Sequence, residues 1–514
     1  MDTKKEKALS VDDLEEKIQK KNFELLDFCK KNGEDCDVTF FSFEKLFMTQ
    51  IFQLACLYIQ YFVVIRHDVL DYTHWLEKGT CYLKKKPVFR TIKTLFGPVR
   101  IYRKYLECKK GGVIYPLDIS LGLTKDGFSP MVMSLVVKLS TRVSYATAVI
   151  IFKCFCRWAP STEAIEHLVL GLGAEASEYM ENYSYDQTNG DEILVIEVDG
   201  KATPTATDDE LKKRRKKRSK KDKGCCQRHR GKGKRKLNKR KRRKKGCKSK
   251  NGRSITIVVM YTLKRGDDGL LHGPYNKIVW ASYAPRRVML EWARKHATKR
   301  GFPPETQKTI HIAIDGEVCL MKGLSKLFPN ASFVLDIRHL EEKIWKVGRL
   351  FYKEGSKELE EWVEEMKKMI YQGKIKKLLK TLKEKETKLS KRAKRDKEKI
   401  EGLRQLINYI EKRVNMMDYK NYIEKDLPIA TGIVEGAVRY VIGERLDCSG
   451  MRWIPGRAEA VLQLRCIELN GNWDEFFNWG YEKWLVKLKE NKKVQVRTNE
   501  TLDISDVSDN QQIL

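Results

Sequence analysis

The chain lacks an uninterrupted apolar run. A bilayer-spanning helix needs about 20 nearly continuous apolar residues, and the most apolar stretch, Phe47 to Ile65, is broken by Gln50, Gln53 and Gln60. It reads as a buried amphipathic helix, so no membrane association is expected. No secretion signal is expected either, since Met1 to Ser10 is charged and has no apolar core. The 13 cysteines are odd in number and follow no repeating spacing. Free thiols in a reducing compartment are therefore favoured over a disulfide framework. Acids are nearly absent from one segment: residues 211–250 hold 25 Lys or Arg and a single acid, Asp222.

What is present is a chain of 514 residues, 41% hydrophobic, long enough for more than one buried core. Its net charge of +33 calls for a polyanionic partner, of which nucleic acid is the usual one. The 211–250 segment supplies +24 of that charge, and the difference, 33 − 24 = +9, is spread over the rest. Such a run cannot bury apolar surface and repels itself, so a disordered basic insertion is expected over 206–252. It acts either as a flexible clamp on DNA phosphates, led by Arg214, Arg215, Lys216, Lys217 and Arg218, or as a solvated loop or localisation signal. Cys225, Cys226, His229 and Cys247 within it could in principle bind zinc, but their spacing is irregular, which disfavours it.

Periodicity divides the remainder. Residues 1–85 read as a helical N-terminal region. Residues 86–185 combine a strand pair about Phe96-Gly97-Pro98 with helices over 129–174, broken at Trp158-Ala159-Pro160. That break fits a helix-turn-helix, or any two packed helices. From Glu192 the chain reads strand, strand, strand, helix, strand, strand. The strands cover Ile193–Val198, Ser254–Leu263, Ile278–Tyr283, Ile310–Ile314 and Ser332–Leu335, with a helix over Arg287–Arg300. This is the element order of an α/β ribonuclease H-like core, assigned to 186–340 and 426–490. Residues 341–425 form an all-α insertion, rich in Lys and Glu with thin apolar spacing, expected to be partly solvated. Residues 491–514 are read as a flexible tail.

Two strands end in the same way, at Asp199-Gly200 and Asp315-Gly316. Either each Asp-Gly makes a turn, or the two carboxylates share a site at strand ends, where open α/β sheets gather their ligands. Adjacent carboxylates repel unless a cation lies between them. Hard divalent ions such as Mg²⁺ or Mn²⁺ accept such oxygen ligands. Glu435, in Thr431-Gly432-Ile433-Val434-Glu435-Gly436-Ala437, is the candidate third acid; alternatively it is a first-turn Glu favoured by the helix dipole.

The text from Thr431 through Arg445 to Gly450-Met451-Arg452-Trp453 resembles the C-terminal signature of DDE transposases. More narrowly, it is similar to those of prokaryotic insertion sequences of the Kra type, distant relatives of Mutator-like transposases. Ala458 to Arg465 and Asn472 to Phe476 extend the resemblance downstream, and Phe96 to Arg103 and Tyr115 to Asp118 extend it upstream. Asp336-Ile337-Arg338-His339 resembles the Asp-x-x-His element of Mutator-type enzymes.

This resemblance implies a DNA transposase whose metal-binding triad is Asp199, Asp315 and Glu435, using Mg²⁺ or Mn²⁺. Its partners would be double-stranded DNA, as terminal inverted repeats and target, read by a mainly helical N-terminal DNA-binding region. It would work as a homodimer or larger oligomer, in the cytoplasm on the nucleoid, or in the nucleus of a eukaryotic host. Asp336 and His339 would be auxiliary, touching metal or orienting DNA; His339 is equally readable as a packed histidine. Arg445, Arg452 and Trp453 would contact strand ends, by phosphate neutralisation and base stacking, unless Trp453 is a core anchor. Two alternatives stand beside this reading: a host-adopted DNA-binding descendant, and a structure-selective nuclease on the same core. The family's zinc knuckle is not expected, because Cys108 is followed by Lys109-Lys110-Gly111-Gly112.

Overall fold

The computed structural model describes residues 9–76, 81–84, 88–109, 112–185, 192–212, 252–390, 396–448 and 451–490. The expected basic cluster Arg214–Arg218 and the cysteines and histidine of 225–247 lie outside these residues. Contacts divide the chain into two units: Met1–Leu168 with Asp474–Leu514, and Val169–Trp473.

In the first unit, α1 (Val11–Glu34) and α2 (Phe40–Asp68) form an antiparallel hairpin. Ser10 and Asp13 cap α1 reciprocally, and Thr39 caps α2 through the Ser42 N–H, satisfying donors that a bare helix start would leave open. Phe28 stacks on Phe43 at 5.6 Å where the two helices meet. There follow α3 (Thr73–Leu76), β1 (Cys81–Leu83), β2 (Val88–Thr94), β3 (Gly97–Arg103), β4 (Leu106–Cys108), β5 (Val113–Ile114) and α4 (Pro116–Ser120). The β2–β3 hairpin turns through Gly97, whose φ of +140° suits only glycine. Val63 of α2 joins Ile92, Val99, Ile101 and Leu117 in one core. Burying each such side chain contributes about 1.5–3 kcal/mol.

The expectation that Phe47–Ile65 is a buried helix is corrected here. α2 buries Val63 and His67, while Tyr58, Phe62 and Ile65, and Val69 that caps its end, are exposed. The small β2–β3 hairpin covers one side of the helix only. The helix breaker at Trp158 separates α5 (Pro130–Arg142) and α6 (Tyr145–Cys156) from α7 (Thr162–Asn182). Trp158 donates from Nε1 to the Thr94 carbonyl at 3.0 Å and meets Phe152 edge-on, so the break is pinned to the unit's core. The C-terminal helix Trp473–Glu490, assigned from sequence to the core, belongs from Asp474 onward with this unit. Tyr481 donates to the Gly122 carbonyl.

The second unit carries β6 (Ile193–Thr203), β7 (Arg253–Arg265), β8 (Leu271–Ser282), α8 (Arg286–Lys299), β9 (Ile310–Ile314), α9 (Val318–Leu327), β10 (Ser332–Leu335) and α10 (Ile337–Gly348). The sheet order is β10-β9-β6-β7-β8. β6 is central, antiparallel to β7 and parallel to β9, and β9 is parallel to β10. Leu194 through Val198 are all buried, as expected of a strand covered on both faces. β6 does not end at Asp199, as its sequence suggested. Pairing with β7 continues from Asp199 opposite Ile257 to Thr203 opposite Arg253, which holds the strand extended.

The helical segment beyond α10 comprises α11 (Lys357–Tyr371), α12 (Ile375–Thr387), α13 (Lys397–Glu411) and α14 (Tyr419–Glu424). Its thin apolar spacing is misleading. Trp362, Val363, Met366, Leu378, Leu382 and Leu403 are buried, so the segment has a packed core. The helix that starts at Gly432 is not uniform: α15 (Gly432–Ala437) passes into a π-helical turn, Val438–Gly443, then α16 (Glu444–Leu446). In the final helix of this unit, α17 (Pro455–Leu469), buried Arg465 donates from Nε to the Tyr440 carbonyl at 3.0 Å, supplying a partner for a carbonyl within the widened turn.

Candidate metal centre

Strand register brings three carboxylates to one level. Val198 pairs with Ile314, and Ile314 with Leu335. The next residue on each strand is Asp199, Asp315 and Asp336 respectively. All three leave the carboxyl ends of the parallel part of the sheet, and the Asp336 N–H still bonds to the Ile314 carbonyl at 2.9 Å.

Local structure then aims each acid differently. Asp199 is half-buried in a continuing strand and accepts its neighbour's Gly200 N–H at 2.6 Å. Asp315 sits in a true turn: its carboxylate accepts the Glu317 N–H at 3.0 Å, and Gly316 has a φ of +83°. A Cβ on Gly316 would come within 2.5 Å of Leu335 Cδ1 and 2.6 Å of Arg413 Nε. Tyr409 of α13 and Arg413, just beyond its end, donate to the Asp315 and Gly316 carbonyls, so the inserted helical segment clamps this turn. Asp336 is fully buried as the N-cap of α10 and accepts from Arg338 N, Thr431 Oγ1 (2.7 Å) and His339 Nδ1 (2.6 Å).

Glu435 reaches this group from α15. Its Oε1 lies 3.4 Å from Thr431 Oγ1 and 3.7 Å from His339 Nδ1. Ligand atoms of Asp336, His339 and Glu435 all fall within 4.8 Å of one another, the one such group of three among the described residues. Asp336 and His339, expected as auxiliaries, are the residues that group with Glu435, while Asp199 and Asp315, expected to form a triad with it, are not in that group.

The electrostatics are those of a crowded acidic site. Burial raises the Asp199 carboxyl above its usual range, and the charges of Asp315 and Asp336 push it further. Burial likewise raises Glu435, again with Asp336 adding to it. The hydrogen bond to Asp336 lifts His339 to about 9. Burial works to raise Asp336 itself, but bonds from His339, Thr431 and the Arg338 N–H outweigh it, and it is held below the ordinary range. A cation among these oxygens would relieve the repulsion that raises Asp199 and Glu435. Asp336, His339 and Glu435 offer two carboxylates and one imidazole at ligand spacing, whereas Asp199 and Asp315 fall outside that group; carboxylate oxygens suit Mg²⁺ or Mn²⁺.

Sequence reasoning passed over Glu197. This carboxylate is fully buried in β6, where its Oε1 accepts Tyr261 Oη at 2.8 Å and its Oε2 accepts the Val434 N–H at 2.7 Å. Burial pushes it up to about 7. It thereby satisfies a first-turn N–H of the helix that carries Glu435. The only available signal was an acid inside an otherwise apolar strand.

The residues expected at DNA strand ends lie in a different setting. Arg445 is buried, with its guanidinium 4.7 Å from the Trp453 ring centroid, so the stacking expected between Trp453 and a base is made here with an arginine. Trp453 also bridges to Thr205, just past β6, and Arg452 is partly buried. Cys81 lies opposite Cys108 in the β1–β4 pair, their Sγ atoms 2.7 Å apart.

No protein-family model matches this chain, and no curated protein matches it.

Proposed function

We propose that the chain is a DDE-type DNA transposase on a ribonuclease H-like core, cleaving and joining DNA ends in the presence of Mg²⁺ or Mn²⁺. One observation carries the reading: Asp199, within β6, and Asp315 and Asp336, just past β9 and β10, each follow one level of strand register, and Glu435 meets Asp336 and His339 from a separate helix. The antiparallel–antiparallel–parallel–parallel order about central β6 supports the fold. Asp199, Asp315 and Glu435 would hold the cation, with Asp336 and His339 beside them. When bound there, a divalent cation stabilises the attacking and leaving oxygens of a phosphodiester.

The chain's own residues do the positioning. Glu197 and Thr431 fix the helix start that presents Glu435, and Arg413 fixes the Asp315 turn. The 211–250 segment, inserted between β6 and β7, supplies the positive charge that holds DNA near Asp199. Its Lys and Arg side chains neutralise phosphates without reading sequence. Joining two DNA ends calls for two copies of the chain.

The test uses the full chain and a plasmid bearing the sequences that flank its gene. In Mg²⁺ or Mn²⁺, wild type is expected to produce 3′-hydroxyl ends and join them to target DNA. Asp199→Asn, Asp315→Asn and Glu435→Gln are each expected to abolish cleavage with DNA binding near that of wild type. Cleavage without joining would make it a nuclease, and binding without cleavage by wild type a host-adopted DNA-binding protein. Substantial cleavage by one variant would remove that residue from the site.

A further inference from the structure

Cys81 and Cys108 face each other across the β1–β4 pair, and we infer that a small disulfide oxidises them to a cross-strand bridge that fastens β1 to β4. This inference does not depend on the proposed catalytic activity. The register sets Cys81 opposite Cys108, Tyr82 opposite Glu107 and Leu83 opposite Leu106, in a sheet of order β1-β4-β5. One step further, the Lys84 N–H bonds to the Tyr105 carbonyl at 3.0 Å, the mark of a hydrogen-bonded pair. Antiparallel pairs alternate between hydrogen-bonded and non-hydrogen-bonded. Counting back from Lys84, the Cys81–Cys108 pair is non-hydrogen-bonded. The Cys108 N–H agrees, since it turns away from β1 and bonds to the Gly112 carbonyl at 3.0 Å. In such a pair the Cα atoms lie about 4.5 Å apart and the side chains are at their closest. A disulfide takes Cα separations of roughly 4.4–6.8 Å, so the bridge needs no rearrangement of the backbone. The two thiols are already in contact.

The sheet has reason to be fastened. β1 is three residues long and lies at its edge. The core beneath is a small cluster of Cys81, Leu106 and Ile114, with Ile119 packed against it. So little buried apolar surface holds a short edge strand weakly. Joining Cys81 to Cys108 closes a loop that contains the whole β2–β3 hairpin. A bridge over such a loop stabilises chiefly by restricting the unfolded chain. A cysteine placed only as a small apolar core residue needs no second thiol directly opposite.

Access sets the order of steps: Cys108 is half-buried and Cys81 is buried. The Cys108 thiolate attacks one sulfur of a low-molecular-weight disulfide, RS–SR, of the glutathione disulfide type. A mixed disulfide forms as the RS–SR bond breaks, and the leaving thiolate takes up a proton to become RSH. Cys81 then gives up its proton and attacks Cys108 Sγ, which closes the bridge and releases the second RS⁻ for protonation. Two protein thiols are oxidised, one small disulfide is reduced to two thiols, and two protons pass to the leaving groups. Burial and the hydrogen bond with Cys81 push the Cys108 thiol up to about 11. Little of it is thiolate at neutral pH, so the first step is slow there and quickens as pH rises. In a reducing compartment the reverse exchange keeps both thiols, and the bridge forms when the balance shifts toward disulfide.

The test exposes the full-length protein to glutathione disulfide at pH 7.5 and at pH 8.5, blocks the remaining thiols with iodoacetamide, and maps the peptides by mass spectrometry. A Cys81 peptide joined to a Cys108 peptide is expected, two hydrogens lighter than their sum and separated again by dithiothreitol. It is expected to form about tenfold faster at the higher pH, as the thiolate fraction of a group titrating well above both values rises tenfold per unit. Oxidised wild type is expected to unfold several degrees above reduced wild type. Cys108→Ser, which keeps buried Cys81, is expected to show no such difference, which separates this pair from the other cysteines of the 13. Should that variant fail to fold, the peptide map of wild type still decides. Cys81 and Cys108 found alkylated, left as separate glutathione adducts or joined to other cysteines would overturn the inference. So would a bridge that leaves the unfolding temperature unchanged.

Discussion

Glu197 and Val434 lie 237 residues apart in the chain, yet the carboxylate of the first accepts the backbone N–H of the second at 2.7 Å. The bond joins the central strand to the first turn of the helix that bears Glu435. Both acceptor oxygens of Glu197 are used, the other by Tyr261. Glu197→Ala would leave two buried donors without acceptors, at a cost of about 1–3 kcal/mol each. Glu197→Gln keeps an oxygen for Val434 and places its amide toward Tyr261 Oη, which can accept. Urea unfolding should therefore show a large loss for Ala and a small one for Gln, and Mn²⁺-dependent nicking should fall in the same order. Equal behaviour of the two variants would remove Glu197 from the positioning of Glu435.

Gly316 answers a different constraint. Its φ of +83° is costly for any residue with a side chain, and the space a Cβ would enter is filled by Leu335 and Arg413. Gly316→Ala is expected to destabilise the protein by about 1–3 kcal/mol. Because Arg413 must shift to admit the methyl group, the Asp315 turn moves with it. Thermal unfolding reports the first effect and cleavage rate the second; a variant unchanged in both would mean the turn is slack.

How much of this was legible beforehand depends on where the determining partner lies in the chain. Ile310–Ile314 and Ser332–Leu335 were readable to the residue because short apolar runs ending in Asp need no partner to be recognised. The continuation of β6 past Asp199 was not, since it is dictated by β7, on the far side of the basic insertion. The first half of β8, His272–Lys277, is exposed and carries no apolar alternation, so only its buried end was visible. The α11–α13 core hid among Lys and Glu because its apolar residues are few per turn and include Trp362 and Met366. At the site, Asp199, Asp315 and Glu435 were nameable from motif text. The grouping of Asp336 and His339 with Glu435 needed the contact between Thr431 and Asp336, which only the fold supplies.

His296 predicts a pH dependence of stability. It is buried on α8, 4.0 Å from the Trp292 ring centroid and 2.7 Å from Tyr185 Oη, and burial lowers it to about 3. An unfolded histidine titrates near 6.5. The folded state thus binds fewer protons than the unfolded chain between these values. The stabilisation from a neutral His296 is present above pH 6.5 and is lost as pH falls, by about 2 kcal/mol at pH 5. Urea midpoints at pH 8 and pH 5 should differ less in His296→Gln than in wild type. An identical pH slope in the two proteins would show that this histidine titrates alike in the folded and unfolded chain.

The last prediction concerns the basic insertion. With 25 Lys or Arg against one acid in residues 211–250, contacts to DNA phosphates would release one counterion for nearly every neutralised phosphate. The logarithm of affinity then falls linearly with the logarithm of salt, with a slope of about −0.9 per phosphate contact. Replacing 213–250 by a short Gly-Ser linker spares Asp199 and the described residues on both sides of the insertion. If the segment clamps DNA, the linker variant loses affinity for every duplex alike and its slope flattens by several units. If it is only a solvated loop or localisation signal, fluorescence anisotropy over a salt series will give parallel lines for the two proteins. The two outcomes differ in slope rather than in affinity at one salt concentration, so a general loss of folding cannot imitate the first.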